Sequence, residues 1–398
     1  MARAVDPAFA PAESLVLRYH RGIGCAELSG DDYRRASLGE RARILDFLEY
    51  RGVRIYLADE STLMASGTFK SLEACFAMAL CRKRGYRSVV FSSGANLGTA
   101  LSLYGSAAGI ETFFFHPDAT SWKLDNAFFA SPAAHLISVD KPEREVKKAA
   151  LLFAQGSGMP HIPEMAWRFV ATGLRALFVF EAIRQRHLRF DWVSQTVCAG
   201  YGPIGFYDRV GQLLGEGAIS RETVPKFLGI QQESRSPMVR AWRKRHPRLE
   251  AEDIAGGSDD LLDQALYNTN PEGSYPLLHR HLLNYGGELR ALRREGYEAH
   301  LPLLLRELAN SGMHVKTRLI GGREEIMEKA GIMALAGTLA AIDEGTIRKG
   351  EAVLSFFTGG AGEFSGREGI PECLIKREDD LIGAVERYRT RVGQRRSA

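Results

Sequence analysis

The sequence predicts an α/β protein with two doubly wound domains, each built on a mostly parallel sheet. From residue 54 onward, short apolar runs alternate with helical patterns of roughly 10–15 residues. Strands joined in this way form parallel sheets through right-handed crossovers. A chain of 398 residues is also too long for one ordinary core, which favours two domains of about 150–200 residues each.

Apolar periodicity places the individual elements. In the first clear helix, apolar residues recur at i, i+3, i+4, i+7 and i+8 from Leu72 to Leu80, and Gly85 ends the pattern. Strands are predicted at 54–57, 88–91, 112–115, 134–139, 192–198, 227–231 and 352–357. Helices are predicted around 41–50 and at 71–84, 97–108, 143–155, 168–186 and 330–341. The stretch 255–287, which includes Tyr267 and Asn270, is rich in turn residues and is expected to form a lid or a subunit contact.

Composition excludes several classes of protein. The 52 Lys and Arg against 48 Asp and Glu give a formal charge of +4, too balanced for a nucleic-acid partner, and the basic run 240–248 fits a solvated helix face better. Five scattered cysteines without a C-x-x-C pair indicate reduced thiols, and no run reaches the ~18 apolar residues of a membrane span. His20 and Cys25 lack further ligands, so no metal is predicted. We therefore expect a cytoplasmic protein.

Three stretches carry the candidate chemistry. Lys70 begins a helix after the small residues of 66–68 and Phe69. The polar turn 92–98 joins a strand to a helix, and the glycine-containing turn 199–205 follows the strand 192–198. Backbone N–H groups converge at such strand-to-helix turns, where the helix dipole adds positive charge, so both turns predict anion sites.

These stretches resemble known motifs. Ser66-Gly67-Thr68-Phe69-Lys70 is similar to the Thr-Gly-Ser-Phe-Lys motif of the pyridoxal-phosphate (PLP) enzymes of the tryptophan synthase beta group, or fold type II. Asp59-Glu60-Ser61 resembles the triplet that precedes that motif, and residues 93–98 resemble the group's Ser-Ala-Gly-Asn-x-Gly loop. The helix 168–186, Glu328-Lys329-Ala330-Gly331 and the terminal strand 352–357 with Thr358 resemble elements of the threonine synthase and cysteate synthase branch. The resemblance spans roughly residues 52–362.

The resemblance implies an organisation and a set of roles. It implies a larger PLP-binding domain over 51–85 and 187–398, a smaller α/β domain over 86–186, an N-terminal extension over 1–50, and PLP in the cleft between the domains. Lys70 would hold PLP as a Schiff base and take the α proton of the substrate. The other implied cofactor contacts are Asn96 to the 3-hydroxyl, Thr358 to the ring nitrogen, and Gly200, Tyr201, Gly202, Pro203, Ile204 and Gly205 to the phosphate. The implied substrate contacts are Ser92, Ser93, Gly94, Ala95 and Leu97.

Each role has a structural alternative. Taken alone, Lys70 could be a surface lysine and Asn96 could be a helix N-cap. Gly200–Gly205 could form a tight turn without a ligand, and Thr358 could be a polar residue at the end of a strand. The sequence also departs from the family at Pro203, which lacks an N–H, at Ile204, which lacks a hydroxyl, and at Leu97, where a hydroxyl or imidazole is common. Three further residues are candidates for binding a second anionic group on the substrate: Lys123, Arg168 and Arg175. Each of them fits a surface position better.

The combined expectation is a PLP-dependent lyase or synthase. It would act on an amino acid, or on its O-phospho or O-acyl ester, by β- or γ-elimination or replacement. A threonine hydroxyl donates to the ring nitrogen without holding a positive charge there, which suits loss of a leaving group better than transamination or racemisation. The first alternative is a PLP-binding or regulatory protein on the same fold. A nucleotide-binding Rossmann protein is weaker, because G-x-G-x-x-G is missing between the first strand and helix. We expect a homodimer.

Overall fold

The structure is a computed structural model that describes residues 9–258, 260–264, 266, 271–367 and 369–397. The strands, in chain order, are β1 (Arg43–Tyr50), β2 (Val53–Asp59), β3 (Ser88–Ser92), β4 (Glu111–Pro117), β5 (Ala134–Val139), β6 (Trp192–Thr196), β7 (Lys226–Gln232), β8 (Gly287–Leu292), β9 (Thr317–Ile320), β10 (Arg323–Ile326), β11 (Ala352–Phe357) and β12 (Cys373–Ile375).

The helices, in chain order, are α1 (Leu15–Tyr19), α2 (Gly30–Ala36), α3 (Lys70–Lys83), α4 (Asn96–Ala107), α5 (Glu143–Ser157), α6 (Met165–Thr172), α7 (Leu174–Arg186), α8 (Tyr201–Gly215), α9 (Pro237–Arg243), α10 (Ala251–Ala255), α11 (Tyr275–Tyr285), α12 (Arg294–Asn310), α13 (Ala330–Asp343) and α14 (Glu378–Ser397). Among the described residues, none of these helices has the length and apolarity needed to cross a membrane.

The chain forms two compact units. The first unit consists of residues 1–23, 39–69 and 168–363. Its main sheet has the strand order β1-β2-β11-β6-β7-β8, in which only the β1–β2 pair is antiparallel. Helix α13 is buried over almost its whole length and packs against β6, β7 and β11. A helix with apolar residues on all sides belongs in a core, and α13 lies in the centre of this one.

The second unit consists of residues 24–38, 70–167 and 364–398. Its sheet is parallel throughout and has the order β12-β5-β4-β3. A separate apolar core lies between this sheet and helices α5 and α14, with Phe113, Phe115 and Phe153 among its members. The predicted α/β class with mostly parallel sheets is therefore confirmed.

The predicted helix around residues 41–50 is wrong. Residues 43–50 form β1, which pairs with β2 through a tight turn at Arg51 and Gly52. Both turn residues have positive φ, 49° and 77°, as the two central residues of a type I′ hairpin turn require. The Arg51-Gly52 pair was the signal for a hairpin, and the apolar residues Ile44, Leu45 and Phe47 fitted either period.

The unit boundaries differ from the predicted domain boundaries at four places. Helix α3 belongs to the second unit because it packs on α4, and α7 belongs to the first because it packs on α8. Residues 364–398 join the second unit because β12 pairs with β5 and α14 packs on α5. The predicted extension 1–50 is itself divided between the units, with 24–38 in the second.

Two further segments depart from the sequence prediction. The single helix predicted over 168–186 is two helices, α6 and α7, which meet at Gly173. The stretch 255–287 contains α11 as well as turns. Tyr267 and Asn270, named there for a lid or subunit contact, lie outside the described residues.

His135 in β5 is a buried titratable group of the second unit. Its Nε2 lies 3.0 Å from Glu111 Oε1 and its Nδ1 lies 2.6 Å from Glu372 Oε1. Burial alone would lower the pKa of His135, but the hydrogen bonds and charges of the two carboxylates outweigh burial and raise it above the usual 6.5. Glu372 precedes β12, so this histidine ties the C-terminal segment to the sheet.

A His135→Gln variant is expected to lose stability mainly at acidic and neutral pH. A raised pKa in the folded state contributes stability that is fully present below pH 6.5 and is lost as the pH rises through the raised value. Urea midpoints of the variant and the wild type, measured from about pH 5.5 to about pH 9, should therefore converge at the alkaline end. A constant difference at all pH values would show that His135 contributes packing and no charge.

Candidate active site

Lys70 is the first residue of α3 and is largely buried. Its side chain is 15% exposed, and its Nζ pairs with Glu73 Oε1 one helical turn further on, where the carboxylate is 1% exposed. A carboxylate in the first turn of a helix is stabilised by the helix dipole, and the ion pair offsets part of the cost of burying it. Glu73 was not identified from sequence, although an acidic residue within an apolar stretch of a helix was a signal for it.

The loop predicted to bind the substrate lies between β3 and α4. The N–H of Ser93 donates to Phe115 O at 3.1 Å, which fixes the loop to the neighbouring strand β4. Ala95 occupies the N-cap position and Asn96 is the first helical residue, so the side chain of Asn96 is not the cap. Ser92, Ser93, Gly94 and Asn96 are half-buried, whereas Ala95 and Leu97 are buried.

The turn predicted to bind phosphate is the start of α8, and we call residues Gly200–Gly205 the phosphate turn. Gly200 has φ 78°, a left-handed conformation that favours glycine, and α8 begins at Tyr201. Pro203 lies in the first turn of the helix, where its missing N–H costs no intrahelical hydrogen bond. Ile204 N–H donates to Gly200 O at 3.1 Å. The N–H groups of Tyr201 and Gly202 therefore remain without an intrahelical acceptor.

Two glycines of the phosphate turn pack closely against other residues of the first unit. A Cβ built at Gly205 would lie 2.1 Å from Thr172 Oγ1 and 2.3 Å from the carbonyl oxygen of Phe169. Gly205 thus lets α8 approach the end of α6. The sequence had instead predicted that this glycine allows the close approach of a ligand. A Cβ at Gly202 would lie 2.8 Å from Arg175 Nη1.

Arg175 does not lie at the surface, as the sequence had favoured, but is fully buried in the first unit. Its Nε donates to Glu60 Oε1 at 2.6 Å, and its guanidinium carbon lies 4.9 Å from the ring centre of Phe69 and 4.0 Å from that of Phe356. Among the residues that the structure describes, neither Nη1 nor Nη2 has a hydrogen-bond acceptor. A helix N-terminus with two N–H groups that lack an intrahelical acceptor, and with an enclosed cation beside it, fits the phosphate of PLP.

Thr358 follows the last residue of β11 and is buried. Its carbonyl oxygen accepts a hydrogen bond from Phe69 N–H at 3.0 Å, and Thr68 forms a β-bridge with Gly359. The end of β11 is thus held beside the segment that leads directly into Lys70. The two segments pack closely at Gly359, where a Cβ would lie 2.8 Å from Thr68 Cγ2.

The other two basic candidates are engaged by aromatic rings. The guanidinium carbon of Arg168 lies 3.8 Å from the ring centre of Tyr201, and Lys123 Nζ lies 5.3 Å from that of Trp122. Both side chains are half-buried. Arg168 therefore lies over the first residue of α8.

Within each unit, the structure brings predicted residues together. In the first unit, Arg175 contacts the region of Gly202 and the rings of Phe69 and Phe356, so the phosphate turn and the strand that precedes Thr358 share one buried cation. In the second unit, Lys70 and the loop 92–97 stand at the N-terminal ends of α3 and α4, two helices that pack against each other.

This fold is the one shared by the PLP-dependent enzymes of fold type II. Solved structures with the same fold include diaminopropionate ammonia lyase from Escherichia coli, with a TM-score of 0.59, 16% sequence identity, and coverage of 90% of this chain and 95% of that one. The processed form of threonine deaminase isoform 2 from Solanum lycopersicum aligns with a TM-score of 0.56 and 15% identity over 97% of this chain and 98% of that one.

The chain belongs to the pyridoxal-phosphate dependent enzyme family, whose model matches residues 41–273. It is similar to the cysteate synthase of Methanosarcina barkeri, with 26% identity over 89% of this chain and 86% of that protein. The cysteate synthase of Methanospirillum hungatei is 24% identical over 82% of this chain and 74% of that protein. The predictions of fold type II, of PLP as cofactor and of a PLP-dependent lyase or synthase are confirmed.

Proposed function

We propose that this enzyme eliminates or replaces a leaving group on the β or γ carbon of an amino acid or its O-phospho or O-acyl ester, with Lys70 as the attachment point of PLP. The observation that carries the proposal is the hydrogen bond from Phe69 N–H to Thr358 O, which holds a strand-end hydroxyl residue beside the segment that precedes Lys70. A hydroxyl can donate to the ring nitrogen of PLP but cannot hold a positive charge there. A neutral ring favours prompt loss of a leaving group over transamination or racemisation.

PLP supplies the electron sink of the reaction when it is bound. Lys70 would hold the cofactor, and its amine would accept the proton from the α carbon of the substrate. Glu73 contacts Lys70 Nζ and stabilises the ammonium that forms there. Asn96 is proposed to bind the 3-hydroxyl, and the phosphate turn with Tyr201, Pro203 and Ile204 the phosphate.

The substrate carboxylate is proposed to bind the loop of Ser92, Ser93, Gly94 and Ala95, with Leu97 behind it. This loop begins at the carboxyl end of a parallel strand, which is where α/β sheets bind ligands. Because two relatives are named for the synthesis of cysteate, a β-substituted sulfonate, we propose an O-phosphoserine-type substrate with sulfite as nucleophile. We also propose a cytoplasmic homodimer. None of the five cysteines, all of which lie in the described residues, forms a disulfide, which supports a reducing compartment.

Absorption spectra and a substrate panel test the proposal. The purified protein should be yellow, and borohydride reduction followed by peptide mapping should place the pyridoxyl group on Lys70. O-Phosphoserine, O-phosphohomoserine, O-acetylserine and serine, each with and without sulfite, should then give a keto acid and ammonia by elimination or a new amino acid by replacement. A colourless protein or a label on another lysine would refute the site. A yellow protein inert to all four would support the regulatory alternative.

A further inference from the structure

We propose that Arg175 is the positioning residue of the phosphate turn and supplies, from behind Gly202, the positive charge that the turn itself lacks. The inference rests on the proposed binding of PLP phosphate at this turn. Pro203 has no N–H and Ile204 has no hydroxyl, so within the first helical turn of α8 the N–H groups of Tyr201 and Gly202 are left to meet a phosphate. A buried guanidinium beside them increases the positive potential at the same point.

The guanidinium has a defined orientation. Its Nε side faces Glu60, which accepts at 2.6 Å, while Nη1 faces Gly202, where a Cβ would lie only 2.8 Å away. The Glu60–Arg175 pair is therefore a buried dipole whose positive end points at the start of α8. Such a charge acts strongly because the surroundings have a low dielectric constant.

Burial of Arg175 requires an explanation that the fold alone does not give. A buried charge is costly unless it is paired, and Glu60 satisfies only one of the three nitrogens. Among the described residues, Nη1 and Nη2 have no hydrogen-bond acceptor, although the rings of Phe69 and Phe356 offer their faces. A phosphate at the turn supplies the missing negative charge.

The contacts of Arg175 also explain why it is an arginine. One planar group touches the carboxylate of Glu60, the ring before Lys70, the ring of Phe356 two residues before Thr358, and the region of Gly202. A lysine has a single charged nitrogen and no planar face, so it cannot hold the carboxylate and stack on both rings. The residue thus fixes the phosphate turn against the segment that leads into Lys70.

The experiment compares the affinities of the protein for PLP and for pyridoxal, which lacks the phosphate. Arg175→Met is expected to weaken PLP binding about 10- to 100-fold, the usual worth of an interaction with a charged group, and to leave pyridoxal binding almost unchanged. Arg184→Met, at an exposed position of the same helix, is the matched control and should alter neither. Arg175→Lys should give an intermediate preference for PLP.

Glu60→Gln is expected to change the preference for PLP over pyridoxal in the opposite direction. This variant also tests the proposal if Arg175→Met does not fold. Removal of the compensating carboxylate leaves the cation less neutralised, so the preference for PLP over pyridoxal should increase. Equal loss of both ligands in Arg175→Met or Arg175→Lys, or a reduced preference in Glu60→Gln, would make Arg175 a purely structural residue and overturn the proposal. A wild-type protein that does not bind PLP would instead refute the proposed function.

Discussion

Lys70→Ala is expected to leave the purified protein without the visible absorption of lysine-bound PLP and to lower turnover by about 10²- to 10⁴-fold, from the loss of the base alone. Lys70 is the lysine of the motif that leads from Phe69 into α3, and its side chain is 15% exposed beside a buried carboxylate. PLP held only by its phosphate and ring contacts should dissociate more readily. Absorption spectra before and after dialysis, with product assays, measure both effects.

Lys83→Ala is the matched control for this experiment. Lys83 lies in the last turn of the same helix, its side chain is 45% exposed, and its Nζ lies 3.3 Å from Asp32 Oδ2. An exposed pair of this kind contributes little to stability, so colour and turnover should be retained. Colour retained in Lys70→Ala, or lost in Lys83→Ala, would show that the cofactor is attached elsewhere.

Much of the architecture could be predicted because local patterns agree with the fold. The strands 134–139 and 352–357 lie where the sequence predicted them, and α13 begins and ends within two residues of the predicted helix. Each is bounded by turn residues and lies deep in its unit, so pattern and burial favour the same structure. β1 was missed because the apolar spacing of one edge strand fits a helix nearly as well as a strand.

The site was predictable where the chemistry follows from a contiguous stretch. Lys70, the loop 92–97 and the phosphate turn are each defined by adjacent residues, and all three lie at the ends of the predicted elements. Their roles as ligands remain predictions. The surroundings of these residues were harder to predict, because a motif does not show whether a glycine faces a ligand or a packed helix. Gly205 faces a packed helix.

Charged residues with distant partners could not be identified from sequence. Glu60 and Arg175 are 115 residues apart and meet only because β2 and α7 belong to one folded unit. An isolated arginine in a helix predicts a solvent-exposed side chain, since charged residues are rarely buried without a partner. Glu73 was not recognised for a different reason: its partner Lys70 was already assigned to the cofactor.

Glu73→Gln is expected to lower turnover and to speed the attachment of PLP. The carboxylate stabilises Lys70 as an ammonium, the form that the lysine reaches when it accepts the substrate proton, so its loss should slow turnover about 10- to 100-fold. Attachment needs the neutral amine, which the same carboxylate disfavours. Rates of colour formation after mixing the cofactor-free protein with PLP, and turnover with saturating PLP, measure the two effects separately.

The opposite signs distinguish a proton-handling role from a structural one. A glutamate that only supported α3 would, when replaced, slow attachment and turnover together and lower the unfolding temperature. Glu73→Asp retains the charge at a greater distance from Nζ and should recover part of the turnover. Unchanged turnover in Glu73→Gln would mean that the Lys70 ammonium needs no buried anion. The role of Glu73, which is 1% exposed, would then be limited to stabilising the folded structure.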